Sequence, residues 1–107
     1  MAPTTKRRSK PFDAAKYLDS DEAAAEYISE ALLTGDIDTI THAIGVAAKA
    51  RGMSEIARQT GLSRESLYKA LSGEGRPQFE TISLVLQALG LRLRVEPANH
   101  APDERAA

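Results

Sequence analysis

The sequence predicts a mainly α-helical domain of five helices that closes on one short β-strand. Three observations predict it. Apolar residues recur at three- and four-residue spacing through successive segments. Glycines at 35, 52, 61 and 90 stand where those segments stop. Only residues 91–96, LRLRVE, alternate apolar with charged side chains, which is strand periodicity.

The chain has 107 residues, the length of a single domain. Residues 1–11 are basic, polar and Pro-flanked, and read as a flexible basic arm. Residues 12–96 read as the folded domain, and 97–107 as a flexible tail. Residues 13–18 suit a short preliminary turn of helix.

The first long helix is expected to start at Ser20, a good N-cap, with Asp21 and Glu22 in the first turn where negative charge favours the dipole. Ala24, Tyr27, Ile28, Ala31 and Leu32 form one face, and Gly35 ends it. The second helix covers about 36–51, with Ile37, Ile40, Ile44, Ala47 and Ala48 as the buried stripe. Lys49 and Arg51 sit in its last turn, and Gly52 closes it. Gly45 lies mid-helix at a cost of about 1 kcal/mol relative to Ala, for which close helix packing is the expected compensation.

Residues 53–73, MSEIARQTGLSRESLYKALSG, carry the function. Ser54 is expected to cap a short helix whose inward residues are Ile56, Ala57 and Thr60. Gly61 permits a tight positive-φ turn, and Leu62 plugs it from the core side. Ser63 caps a second short helix, with Leu67, Ala70 and Leu71 facing inward. This is the spacing of a helix-turn-helix, whose second helix enters the DNA major groove. The alternative is a helical hairpin used for packing or protein contact.

The outward residues fit the DNA reading. Arg64 can donate two hydrogen bonds to guanine O6 and N7, and Glu65 can accept from cytosine N4. Ser63, Ser66, Tyr68 and Lys69 suit backbone positioning. Ser54, at a helix N-terminus, suits a phosphate, and Arg76 suits a clamp on the same strand.

A last helix covers about 79–89, with Ile82, Val85, Leu86 and Leu89 inward and Gly90 as its stop. In the strand that follows, Leu91, Leu93 and Val95 share one side. A lone strand needs a partner, and the same strand in a second copy is the simplest one, giving a homodimer. A folded-back extension of the last helix is the alternative.

The formal net charge of −1 hides an asymmetry. Residues 19–38 hold seven acids and no base, whereas 49–76 hold six bases and three acids. The basic segment suits phosphates and the acidic one a basic protein; the alternative is that both are solvated helix faces. With no Cys, a disulfide framework, a thiolate nucleophile and a Cys-based zinc site are excluded. No cofactor is expected. His42 and Asp38 stand at i and i+4, but no Ser or Cys nucleophile or metal cluster accompanies them, so no enzyme is expected. No apolar run is long enough to span a bilayer and no export leader is evident, so a cytoplasmic location is expected.

The run ARQTGLSRESLYKALSGEGRPQFETISLVLQALGL resembles the core of the lambda-repressor-like (XRE) helix-turn-helix superfamily. FDAAKYLDSDEAAAEYISEAL, followed by that core and LRLRVEP, resembles the HigA-like addiction-module antidotes, over about 12–97. The stretches GLSRESLY and GEGRP are the most specific parts. The resemblance implies an antitoxin that binds and neutralises a small basic toxin of the RelE/ParE type. It also implies a homodimer that represses its own operon on palindromic double-stranded DNA. Asp19, Asp21, Glu22, Glu26 and Glu30 are then candidate toxin contacts by charge, with the N-terminal arm and the second helix as the alternatives. The competing readings are a stand-alone repressor with no toxin partner and an interaction protein that no longer binds DNA.

Overall fold

Ser20 begins the first helix as its residue type requires. Its backbone is extended (φ −110°, ψ 156°) and its hydroxyl accepts from the Ala23 amide at 3.1 Å. The computed structural model describes residues 18–73 and 76–98. Within them the order is α1 (Asp21–Thr34), α2 (Ile37–Arg51), α3 (Met53–Thr60), α4 (Arg64–Ala70) and α5 (Phe79–Ala88). The basic arm, the turn expected over 13–18 except Leu18, and nearly all of the tail lie outside the described residues.

Gly35 caps α1 in the left-handed region at φ 70°, its amide donating to the Leu32 carbonyl. Asp36 then caps α2, accepting from the Thr39 amide at 2.9 Å and the Thr39 hydroxyl at 2.6 Å. The two hydrogen bonds from Thr39, hydroxyl first and amide second, hold the Asp36 carboxyl below its ordinary pKa. Two residues thus turn the chain between helices, and α1 packs against α2.

The core is one cluster in which Ala24, Ile28, Ile44, Ala47, Ile56, Leu67, Val85 and Leu89 are all buried. Gly45 explains how α2 meets the end of α4. A Cβ there would stand 3.0 Å from the Leu71 carbonyl oxygen and 3.4 Å from the Leu71 Cβ. The close packing expected at this glycine is present.

Arg51 ties three helix ends together. Its Nη2 donates to Asp21 Oδ1 at 2.7 Å, at the start of α1, and to the Leu89 carbonyl at 3.4 Å, at the end of α5. Asp21 in turn lies against Gly90, where a Cβ would fall 2.6 Å from Asp21 Oδ2. Gly90 stops α5 at φ 80°, as its position predicts.

Two expectations are corrected. Ile37 is 52% exposed and Leu32 42% exposed, not core, because both stand at the α1–α2 corner beyond the reach of the neighbouring helices. Ser54 caps nothing: Gly52 takes φ 114° and ψ 114°, so α3 starts at Met53 and places Ser54 inside its first turn. Among the described residues no strand forms. Leu91 packs on the core and its amide donates to the Leu86 carbonyl at 2.9 Å, but 92–98 are exposed. Within one chain the segment finds no second strand to pair with.

Candidate nucleic-acid interface

Local chemistry sets the relation of α3 to α4. Gly61 sits at φ 82° with open space around its α-carbon, so it is there for its backbone conformation and not for clearance. Its amide donates to the Ala57 carbonyl at 2.9 Å, ending α3. The Thr60 hydroxyl donates back to the Ile56 carbonyl at 2.8 Å and accepts from the Leu62 amide at 3.2 Å. Leu62 packs, half-buried, on the core. Ser63 then opens α4 as expected: its hydroxyl accepts from the Ser66 amide at 3.0 Å and donates to the Ser66 hydroxyl at 2.9 Å.

Burial divides α4 cleanly. Leu67 is 0% exposed, Leu71 is buried, and Ala70 packs against the same cluster. Arg64, Glu65, Ser66, Tyr68 and Lys69 are all exposed. The structure therefore brings these five predicted residues together on one outward surface. Arg76 joins them, because Ser66, Lys69, Arg76 and Pro77 line one shallow depression of about 260 Å³. Two cations and a hydroxyl thus share one flank of α4.

The other flank holds a residue that the sequence reading passed over. Lys49, at the end of α2, places its Nζ 6.0 Å from the centre of the Tyr68 ring. Its place in the last turn of a helix explained it as a dipole partner, and only the basic run over 49–76 hinted at more. Lys49, Tyr68 and His42 rim a cavity of about 250 Å³ floored by Gly45, Val46, Met53 and Leu71. Ser54 is exposed in the first turn of α3, and no side chain caps that helix.

The charges differ in how free they are. Among the described residues the ion pairs are Arg51–Asp21 and Arg58–Glu55. The Arg58 guanidinium, and then the Gln59 amide at 2.6 Å, hold the Glu55 carboxyl below its ordinary pKa. Lys49, Arg64, Lys69 and Arg76 take part in neither pair. Asp38 and His42 do not form an ion pair either.

The acidic residues expected on a second surface are Asp19, Asp21, Glu22, Glu26 and Glu30, and all are exposed. Asp21 differs from the rest because Arg51 holds it. On the last segment Leu93 is 44% and Val95 93% exposed. No group of His, Asp or Glu able to hold a metal ion is gathered among the described residues. No helix among them is long and apolar enough to cross a membrane.

Residues 8–97 match the family described as probable addiction module antidote protein. A Haemophilus influenzae protein described as uncharacterized is 47% identical over 92 residues, which is 86% of this chain and 95% of that protein. No solved structure matches the chain.

Proposed function

The chain belongs to the family of probable addiction module antidote proteins, and from that premise we propose that it neutralises a toxin by binding it and represses its own operon through a helix-turn-helix. In this reading it is a HigA-like antidote of the lambda-repressor-like superfamily and acts in the bacterial cytoplasm. Its toxin is a small basic protein of the RelE/ParE type, and its DNA is an inverted repeat bound by a homodimer.

One observation carries the DNA part. A seven-residue helix is anchored through Leu67 and Leu71 and leaves every other long side chain on its opposite face to solvent. A helix in the major groove needs that arrangement, with its N-terminal residues nearest the base edges. Arg64 is the guanine reader, by two hydrogen bonds to O6 and N7, and Glu65 accepts from cytosine. Ser63, Ser66, Tyr68 and Lys69 position the phosphate backbone. Arg76 clamps one side, beside Lys69. Lys49 and Ser54, with the uncapped amides of α3, serve the other. The second copy pairs through 91–96, bringing Leu91, Leu93 and Val95 of both chains to one seam.

Arg64→Ala tests the base contact. The change lies on an exposed position and leaves the melting temperature where it was. It weakens binding to a duplex from the region upstream of the gene by about 1–3 kcal/mol and relaxes preference at one base pair. Fluorescence anisotropy across a salt series reads both this loss and the steep salt dependence that several phosphate contacts produce. Unchanged affinity and selectivity would move the base contact away from Arg64.

A further inference from the structure

The outer face of α1 carries Glu22, Glu26 and Glu30 at four-residue spacing, which sets them in one row along the helix. Their company distinguishes them from Asp21 and Asp36. Asp21 is held by Arg51 and Asp36 caps α2, whereas these three glutamates have no basic partner among the described residues. The row ends at an apolar corner. Leu33 is 79% exposed, and Ile37, just past the turn, 52%. Glu22, Glu26, Glu30 and Leu33 line one shallow depression, so acids and leucine form a single surface.

Resting on the antidote reading, we infer that this row and its apolar corner are where the toxin docks. The toxin presents lysine or arginine side chains to Glu22, Glu26 and Glu30, and an apolar side chain to Leu33 and Ile37. Charge decides the occupant: with seven acids and no base over 19–38, the surface repels a phosphate backbone and attracts a basic protein. The apolar corner supplies the desolvated contact that a charged rim alone lacks. α1 packs on α2, and α2 in turn meets α4 at Gly45–Leu71 and Lys49–Tyr68, so α2 stands between the row and the proposed DNA-reading face.

The test uses the full chain and the product of the adjacent reading frame, the toxin expected of such an operon. Glu26→Lys with Glu30→Lys lowers affinity for that protein by at least about tenfold at moderate salt, and the difference shrinks as salt rises. Leu33→Ala with Ile37→Ala lowers it by about fivefold or more, with little dependence on salt. Both variants keep the wild-type melting temperature and operator affinity. If the wild type binds the protein and both variants bind it equally well, the docking surface is overturned while the antidote reading stands. If the variants change only the chain's own oligomeric state in light scattering, a second copy covers the corner and the inference is again overturned. If the wild type does not bind the protein at all, the antidote reading fails first and takes the inference with it.

Discussion

Leu93→Asp is expected to turn the proposed dimer into monomers and to lower affinity for the proposed operator by about 10²–10⁴-fold, the advantage that linking two half-site contacts confers. The reason lies in residues 91–96. Their alternation puts Leu91, Leu93 and Val95 on one side, yet only Leu91 is packed within the chain. Leu93 and Val95 remain 44% and 93% exposed, and among the described residues no backbone hydrogen bond reaches 92–98. An unpaired segment whose apolar side chains are exposed along one side of its alternation is what a second strand covers. In the proposed dimer a carboxylate at 93 is buried at the seam on both chains, with no base opposite it, and that cost prevents pairing. Within one chain the same carboxylate stays in water, so the protomer keeps its fold. Light scattering and anisotropy on one sample read both effects. A dimer that persists with Asp at 93 contradicts the strand interface.

Leu67→Ala has the largest expected effect on stability, about 2–5 kcal/mol. Leu67 is 0% exposed and shares its cluster with Ile44, Ile56, Val85 and Leu89. It is also the deepest anchor of α4, a helix too short to persist unaided. Its truncation leaves a cavity under the proposed DNA-reading face, and a domain of this size has only about 5–15 kcal/mol of stability in all. Thermal unfolding followed by circular dichroism should show a midpoint lower by about 10 °C or more. DNA binding then fails with the fold, unlike Arg64→Ala, which lowers affinity without moving the midpoint. A midpoint within about 1 °C of wild type would show that α4 is held by something other than Leu67.

What the sequence made legible is local. Ser20, Gly35, Gly61 and Ser63 act as caps or turn residues through hydrogen bonds that span three or four residues, and their residue types announce them. The inward faces of α4 and α5 follow from helical periodicity, and the outward face of α4 follows by complement. Gly45 was legible as a point of close approach, because glycine inside a helix needs a reason. The rest depends on distance. Nothing near Asp21 or Arg51 announces a pair 30 residues apart, so Asp21 reads as a free acid until the fold brings the guanidinium to it. Periodicity marks Leu32 and Ile37 as apolar but cannot say that the neighbouring helices end before covering them. Ser54 looks like a cap because a serine stands near the start of the motif, yet the positive φ of Gly52 starts the helix two residues earlier. Lys49 is in the same position as Asp21: its approach to Tyr68 joins two helices and has no local signature.

The central claim is that the exposed side of Arg64–Ala70 meets a duplex twice over, from a symmetric pair of chains. Nuclease footprinting of the DNA upstream of the gene, at moderate salt, tests it most directly. The expected result is protection of an inverted repeat whose half-site centres lie about one helical turn apart, or a whole multiple of that, with the footprint lost for Leu93→Asp. Protection of a single asymmetric site, or none at any salt concentration, would contradict it.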